Sequence, residues 1–353
     1  MAGGHRLLLV ADGVSVHTAR LANGLVDAGM DVHVATFEVN SDLGGTVHVL
    51  GTGGPANDMR YPVAVPGLAR LIRRLRPTTV NAHYLSSYGA MSAIAVRLQP
   101  RRRRPQLIQT LWGSDVLVTP RRSTFHRHAA KAWLRSADLV TGDSQDMRAD
   151  VAKLAPRTPW HTFVFGPERS LLDAPRRTEP VVLSARRLEP DMRIDLVIEA
   201  FRILQAGSAS KYRLIVSSSG SMDTELQRLA GEVRGVEFVG HLQRGALHEL
   251  LETAHVAVSV PESDGTSAAL LDALAAGVTP VVNDLPANRE WVDPTIGAIV
   301  SRDPDPRELA GALAGALAHP PQTERIRAGV AGHTWEDELA RFARRVVQIS
   351  VKR

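Results

Sequence analysis

Short apolar runs alternate with stretches of helical length along almost the whole chain. The first run covers residues 7–10, a helical stretch follows over about 15–28, and the next strand pattern covers 31–36. Apolar runs without polar alternation are typical of strands that are buried on both faces, as in parallel sheets covered by helices. The pattern therefore predicts a βαβ unit at the start and, by its repetition, an α/β protein.

The alternation breaks once, between residues 155 and 180. This stretch contains five prolines and a single plausible strand, residues 162–165. Before it we predict strands at 78–81, 106–110 and 139–141 and helices at 66–76, 88–98, 123–135 and 144–154. After it we predict strands at 181–185, 213–216, 236–239, 256–260 and 280–283 and helices at 194–205, 224–233, 245–253, 267–276, 306–318 and 335–351.

These patterns divide the chain into two α/β domains, 1–165 and 166–334, followed by a terminal helical segment, 335–353. Open α/β sheets bind ligands beyond the carboxyl ends of their strands. We therefore expect a ligand cleft between the two halves, with a hinge in the proline-rich stretch.

The composition excludes several kinds of chemistry. The chain has no Cys, so disulfides, thiolate nucleophiles and iron–sulfur clusters are ruled out. The net charge of +5 is small for 353 residues, although it permits weak peripheral contact with an anionic membrane. Arg101–Arg104 fits a solvated connector, with a binding patch as the alternative. No apolar run is long enough to span a membrane and no leader pattern is visible, so a cytoplasmic protein is expected.

Several familiar motifs are missing from the sequence. It has no Gly-x-Gly-x-x-Gly after the first strand, no Gly-Lys-Ser/Thr phosphate loop and no His-Glu-x-x-His. Asp303 and Asp305 flank a proline before a predicted helix, which fits the start of a helix better than a metal pair. No metal site and no bound cofactor are predicted.

The most informative segment covers residues 261–277. A buried strand ends there, Gly265, Thr266 and Ser267 turn the chain, and a helix begins whose free N–H groups favour a phosphate. On this helix Asp272 is surrounded at helical spacing by alanines, so a ligand can reach its carboxylate. An ordinary helix cap at Ser267 and a surface acid at Asp272 are the alternative.

This segment resembles the signature of glycosyltransferase family four, retaining enzymes built from two Rossmann-like domains in the GT-B architecture. In that family two acids separated by seven residues bracket a glycine turn, and Asp264 and Asp272 occupy those positions. The family usually has Glu at both. The resemblance also implies that the last helix crosses back to the first domain.

Residues 184–195 resemble the family's phosphate clamp, with Arg187 at the arginine position. Met192 stands where a lysine is usual, and a thioether cannot neutralise a diphosphate, so Arg193 or Arg186 is expected to substitute. The loop that includes Leu242 is similar to the one that holds the nucleobase.

In the first half, the resemblance implies that Gly13 and His17 lie in the loop that approaches the donor's diphosphate and the acceptor. His83 and Asp115 follow strands and are implied to face the same cleft. Many relatives have a His at position 112, where this chain has Trp112, so we expect Asp115, His83 or His17 to take over part of its role. Each histidine also fits a structural role.

The resemblance implies a metal-independent retaining enzyme that transfers a sugar from a nucleoside diphosphate sugar to a small-molecule or lipid-linked acceptor. Asp264, Asp115 and His83 are the candidate catalytic residues, and His17, Trp112 and His83 the candidate acceptor-binding residues. A sugar-nucleotide epimerase or hydrolase of the same architecture, and an inactive nucleotide-sugar binder, are the alternatives. No nucleic-acid partner is expected, because basic and aromatic residues are not interleaved.

Overall fold

Two parallel β-sheets, one in each half of the chain, organise the protein. The computed structural model describes residues 5–51, 59–176, 179–208, 211–231 and 233–351. The chain divides into two compact units, one made of Met1–Phe165 with Asp337–Arg353 and the other of Gly166–Glu336.

The first unit contains a seven-stranded sheet in the order β3-β2-β1-β4-β5-β6-β7, in which every pair of neighbours is parallel. The strands are β1 (Arg6–Val10), β2 (Asp31–Thr36), β3 (Thr46–Val49), β4 (Thr79–His83), β5 (Gln106–Thr110), β6 (Leu139–Gly142) and β7 (Trp160–Thr162). The helices are α1 (Val16–Asp27), α2 (Arg60–Leu75), α3 (Ala90–Arg97), α4 (Thr124–Ser136) and α5 (Gln145–Leu154). The strand order reverses between β1 and β4.

The second unit repeats this plan with six parallel strands in the order β10-β9-β8-β11-β12-β13. Its strands are β8 (Val181–Ser184), β9 (Arg213–Ser217), β10 (Val236–Gly240), β11 (Val256–Ser259), β12 (Thr279–Asn283) and β13 (Ala298–Val300). The remaining helices are α6 (Arg169–Asp173), α7 (Ile194–Ala206), α8 (Asp223–Ala230), α9 (Arg244–Thr253), α10 (Ala268–Ala276), α11 (Pro286–Arg289), α12 (Pro306–Ala318), α13 (Thr323–Ala328) and α14 (Trp335–Val351).

Each sheet is covered by helices that bury an apolar stripe against it. In the first unit Leu68, Ile72 and Met91 of α2 and α3 pack over Leu8 and Val80. In the second unit the apolar faces of α7 and α12 pack over β8, β9 and β11. This confirms the predicted α/β architecture, because continuous apolar strands require cover on both faces.

The differences from the predicted elements lie where burial is incomplete or where proline misleads. β3 and β13 were not predicted, because edge strands lack a fully buried apolar run. The predicted strand at 162–165 is wrong, since β7 ends at Thr162 and the buried Phe163 stacks on Phe342 instead. Helix α2 begins at Arg60, six residues before the predicted start, and continues through Pro66.

Helix α14 begins in the second unit and continues into the first, where Phe342 and Val346 are buried and Ser350 Oγ lies 3.3 Å from His5 Nδ1. In the part of the chain that the structure describes, no helix combines the length and the apolar character needed to cross a bilayer.

Candidate active site

In the second unit, the loops that follow β8 and β11 leave the sheet at its carboxyl edge. These strands are neighbours, and the strand order reverses between them. Such a switch point is where doubly wound sheets bind ligands, because the flanking loops diverge there. The segment 261–267 follows β11, and Arg186 and Arg187 follow β8.

The amino end of α10 lies at this switch point. Ser267 caps the helix, and its Oγ accepts a hydrogen bond from the N–H of Leu270 at 3.4 Å. The N–H groups of Ala268 and Ala269 have no acceptor within the helix, and the helix dipole is positive at this end. Both features favour an anion.

Arg186 lies beside this helix end. Its Nη1 donates to Ser267 Oγ, and its Nη2 donates to Asp264 Oδ2 at 2.6 Å. Its side chain is only 13% exposed. A guanidinium at the positive end of a helix is unfavourable by itself, so the carboxylate of Asp264 compensates for it.

The other positions of the expected phosphate clamp lie in different surroundings. Met192 is buried, and its Sδ lies 3.2 Å from Arg186 Nη2. Arg193 is held by Asp303 at 3.2 Å and by the carbonyl of Arg302 at 3.3 Å. Arg187 is exposed to solvent. Of the two substitutes expected for the missing lysine, Arg186 is therefore the one that reaches the end of α10.

A pocket of about 410 Å³, counted with the solvent at its mouth, lies between this sheet and helices α9 and α10. Its walls are mostly apolar, with Leu183, Leu247 and Leu251 among them, and its charged lining residues are Arg186 and Asp272. Asp272 is 7% exposed, so it is not a surface acid. Arg244 Nη2 lies 3.8 Å from Asp272 Oδ1, and its Nε lies 2.5 Å from Glu168 Oε1.

The remaining predicted donor residues are Gly265, Thr266 and Leu242. Gly265 is buried in the turn before α10, and Thr266 Oγ1 accepts a hydrogen bond from Trp291 Nε1 at 3.1 Å. Leu242 is half-buried between β10 and α9 and is not among the residues that line the pocket.

In the first unit, Gly13 follows β1 and packs against the chain's own backbone. Its N–H donates to Thr36 Oγ1 at 2.8 Å, and a Cβ at this position would lie 2.3 Å from the carbonyl oxygen of Glu38. The close approach that requires a glycine here is therefore the one to the loop after β2.

Trp112 lies at the centre of an aromatic cluster at the carboxyl ends of β4 and β5. Its ring stacks on Tyr84 and Phe165, with centroids 5.6 and 5.4 Å apart, and it lies 5.2 Å from His17 and 5.9 Å from His83. Among the described residues, Trp112 Nε1 and both ring nitrogens of His83 are buried without a hydrogen-bond partner. The three predicted acceptor-binding residues are thus brought together.

His83 is fully buried, and burial, followed by the nearby His17, lowers the pKa of its imidazole to about 3. The imidazole is therefore neutral at neutral pH. In this form it can donate one hydrogen bond and accept another, but it carries no charge.

Asp115 is also buried, and both of its carboxylate oxygens are occupied by backbone. Oδ2 accepts from the N–H of Trp112 at 2.9 Å, and Oδ1 accepts from the N–H of Leu85 at 3.0 Å. Burial raises the pKa of Asp115 to about 7, and these two N–H groups oppose the shift. Its contacts tie the loop after β4 to the loop after β5 and so fix the backbone of Trp112.

Three residues of these sites were not among the predicted ones. Tyr84 stacks on Trp112 and has φ +61°, Phe165 closes the cluster from the other side, and Arg244 faces Asp272. None of them belongs to a motif, and only the adjacency of Tyr84 to His83 gave a signal in the sequence.

Two doubly wound parallel α/β units, one of them with an anion-favouring helix end and a pocket that contains a carboxylate at its switch point, define the class of two-unit α/β proteins with the GT-B architecture. Two family profiles match the sequence, "Glycosyl transferase 4-like" over residues 6–144 and "Glycosyl transferases group 1" over residues 173–331. The chain belongs to the group 1, family-four-like glycosyltransferases and has the GT-B fold.

Solved structures with this fold include sucrose-phosphate synthase from Thermosynechococcus elongatus, which is 16% identical, with a TM-score of 0.81 over 99% of this chain and 100% of that one. Anabaena HepE in complex with UDP-glucose is 16% identical, with a TM-score of 0.71 over 98% and 97%. An α,α-trehalose-phosphate synthase (UDP-forming) from Burkholderia vietnamiensis is 14% identical, with a TM-score of 0.74 over 99% and 100%. A search of curated proteins gave no match.

Proposed function

We propose that this glycosyltransferase moves a sugar from a nucleoside diphosphate sugar to an acceptor hydroxyl, with retention of configuration and without a metal ion. The observation that carries the proposal is the buried pocket of the second unit, which joins an acid, Asp272, to the amino end of α10. An apolar pocket with a carboxylate fits a nucleoside, and the adjacent helix end fits its diphosphate.

In this proposal Asp272 accepts hydrogen bonds from the ribose hydroxyls. The N–H groups at the start of α10, next to Gly265, Thr266 and Ser267, receive the diphosphate. Leu242 lies in the loop that is similar to the family's nucleobase loop. UDP is the first nucleotide to test, because HepE was solved with UDP and with UDP-glucose.

Arg186 supplies the positive charge that Met192 cannot. Its guanidinium already lies at the end of α10, where a diphosphate would offset its unfavourable position next to the helix dipole. The contact with Met192 Sδ indicates that the arginine occupies the space into which a lysine at position 192 would extend. Arg187, which is exposed nearby, adds a second cation, whereas Arg193 is bound to Asp303.

The chemical step breaks the bond between the anomeric carbon and the diphosphate oxygen and forms a bond from that carbon to the acceptor oxygen on the same face. The acceptor proton passes to the departing phosphate oxygen. Preorganised N–H groups and Arg186 stabilise the charge that develops on this leaving group. Asp264, held by Arg186, is proposed to hold hydroxyls of the transferred sugar.

The acceptor is proposed to bind at the aromatic cluster of the first unit. Trp112, together with His17, offers flat ring faces on which the apolar face of a sugar can stack. Neutral His83 and the indole N–H of Trp112 are buried polar groups without a protein hydrogen-bond partner among the described residues, and in this proposal they reach the acceptor through a bridging water. Asp115 is proposed to position Trp112 rather than to act as the base, because its oxygens already accept two backbone bonds.

An inactive nucleotide-sugar binder is the second candidate. It is supported by the ion pair between Arg186 and Asp264, which engages the acid that would otherwise hold the transferred sugar. Nucleotide release during acceptor screening would exclude this candidate, whereas tight binding without turnover would favour it.

The donor assignment is tested by isothermal calorimetry with UDP, GDP, ADP and dTDP. Replacing Asp272 by Ala should weaken binding of the preferred nucleotide by about 10- to 100-fold, the loss of a charge-assisted hydrogen bond. Glu225→Ala, on the exposed face of α8, is the matched control and should change it less than about twofold. Unchanged affinity in Asp272→Ala would refute the role of this acid.

The stereochemical and metal-ion parts of the proposal are tested separately. Proton NMR of the product should show the anomeric configuration of the donor, and turnover should persist in EDTA. An inverted product, or activity that is lost in EDTA and restored by a divalent cation, would contradict them.

A further inference from the structure

The positive charge of this chain is concentrated in one segment of the first unit. Between Met59 and Ala137 the sequence has 15 Lys and Arg residues and a single acid, Asp115. The rest of the chain has 27 Lys and Arg residues against 36 acids. The segment therefore has a formal charge of +14 and the remainder −9, although the total is only +5.

The single acid does not neutralise this segment at the surface, because Asp115 is buried and bonded to backbone N–H groups. Two of the cations form ion pairs with acids from outside the segment, Arg60 with Glu38 and Arg121 with Asp150. Twelve of the fifteen are exposed: Arg70, Arg73, Arg74, Arg76, Arg97, Arg101, Arg102, Arg103, Arg121, Arg122, Arg127 and Arg135.

The three helices of this segment, α2, α3 and α4, form one layer. Helices α2, α3 and α4 each precede a parallel strand on the same side of the strand-order reversal, so right-handed crossovers bring them to one face of the sheet. Helix α3 packs against both α2 and α4. Helix α1 connects β1 to β2 in the opposite direction and lies on the other face.

On this layer the exposed residues of each helix form a single stripe. In α2 the exposed positions 62, 63, 66, 70, 73 and 74 lie within about one third of the helix circumference. In α4 the stripe is broader, because Phe125 and Arg127 lie about 80° to either side of Arg135. The cations therefore point outward together.

Apolar side chains are exposed among these cations. Phe125 is 76% exposed, Val63 65% and Leu98 58%. An exposed Phe costs free energy in water, and its neighbours along the chain include Arg121, Arg122 and Arg127. A surface with cations and protruding apolar groups fits the interfacial region of an anionic bilayer, which attracts the cations and accepts the apolar groups.

We propose that the outer face of helices α2, α3 and α4, which we call the basic face, docks the enzyme on anionic phospholipid bilayers. The bilayer is favoured over a nucleic acid because backbone phosphates attract arginines but do not solvate exposed Val63, Leu98 and Phe125. This inference rests on charge and exposure in the first unit and is independent of the donor site. The connector expected at Arg101–Arg104 joins α3 to β5 and adds three exposed cations beside this face, whereas Arg104 donates to the carbonyls of Arg97 and Gln99.

The test is flotation of the full chain with vesicles of phosphatidylcholine alone or with 30% phosphatidylglycerol, a composition of about one third anionic lipid. Binding is expected only to the anionic vesicles and should weaken in high salt. Each cation near such a surface contributes about a fivefold change in affinity, so Arg70→Gln/Arg73→Gln/Arg74→Gln should reduce binding on the order of 100-fold.

The matched control replaces three exposed arginines of the second unit, Arg228, Arg307 and Arg325, by Gln. Its binding should change less than about threefold, because these residues lie outside the basic face. Equal loss in both triple variants would show only a general charge effect and would overturn the proposal. Binding to neutral vesicles of the same strength, or no binding to either kind, would also overturn it.

Insertion is tested by spectroscopy. Phe125→Trp should gain fluorescence quenching by brominated lipids, whereas Val26→Trp, on α1 at the opposite face, should not. Equal quenching in the two variants would contradict the orientation. A nucleic-acid surface would appear as duplex DNA that binds more tightly than vesicles at the same salt and displaces them, and this result would also overturn the proposal.

Discussion

Replacing Arg186 by Met tests whether this residue has taken over the phosphate-binding role of the missing lysine. The substitution keeps the apolar length of the side chain but removes the guanidinium that contacts Ser267 and Asp264. A charge-assisted hydrogen bond contributes about 1.5–3 kcal/mol, so the affinity for UDP should fall by roughly 10- to 150-fold. Uridine, which has no phosphate, should lose less than about twofold.

A second effect adds to this loss. Without Arg186 the carboxylate of Asp264 lacks its partner at 2.6 Å and repels the incoming diphosphate. Arg186→Met/Asp264→Asn should therefore bind UDP more tightly than Arg186→Met alone. In a double-mutant cycle the two substitutions should be non-additive, because they share one interaction.

The assay is isothermal calorimetry with UDP and uridine on the parent, Arg186→Met, Asp264→Asn, the double variant and the control Arg193→Met. Arg193 is bound to Asp303 and the carbonyl of Arg302, so its replacement should change both affinities less than about threefold. Equal losses for UDP and uridine in Arg186→Met, or a larger loss of UDP affinity in Arg193→Met, would refute the assignment.

Four further predictions concern the first unit. On acidification from pH 7 to 4.5, the parent should lose about 2–3 kcal/mol of unfolding free energy at His83, because the pKa of this residue is about 3 in the native protein and 6.5 in the unfolded chain. His83→Gln should lack this loss. Over the same pH change the parent should gain up to about 3 kcal/mol of unfolding free energy at Asp115, because the pKa of this residue is about 7 in the native protein and 3.8 in the unfolded chain. Asp115→Asn should lack this gain. Gly13→Ala should lower stability by about 2 kcal/mol or more, since its Cβ would meet a backbone carbonyl at 2.3 Å, whereas Gly67→Ala, in open space within α2, should raise it by about 0.5 kcal/mol. Trp112→His should weaken acceptor binding, seen as a raised KM for the acceptor at an unchanged KM for the donor.

The stability measurements are urea unfolding curves that follow each transition at both pH values. The burial argument would be contradicted if the free energy of unfolding changed equally with pH in the parent and in His83→Gln. It would also be contradicted if Asp115→Asn lost less stability than the parent on acidification. A Gly13→Ala protein as stable as the parent would show that the loop after β2 can yield. A Trp112→His protein with an altered donor KM alone would move this residue to the donor site.

Much of the fold could be predicted from the sequence because parallel strands that are buried on both faces leave a continuous apolar pattern. The strands at 7–10 and 181–184 are of this kind, and the segment around Ser267 combines a strand end, a turn and a helix start within a few residues. Edge strands such as β3 and β13 carry a weaker pattern, because one side lacks a neighbour and burial is partial.

The sequence predicts the site only where residues that are close along the chain determine the arrangement of side chains. The proposal of Arg186 rather than Arg193 rests on which side chain reaches the end of α10, and this depends on ion pairs with the distant residues Asp264 and Asp303. The role of Asp115 in holding two backbone N–H groups likewise depends on the packing of two loops. The basic face was missed for a different reason, since the total of +5 averages a strongly positive segment with an acidic remainder.

The central claim is that a nucleoside diphosphate binds at the amino end of α10 with Asp272 at its ribose. A crystal structure of the complex with UDP tests this most directly. The account predicts diphosphate oxygens at about 3 Å from the N–H groups of Ala268 and Ala269, and ribose hydroxyls on Asp272. A diphosphate bound elsewhere, with Arg186 still bonded to Ser267 and Asp264, would contradict it.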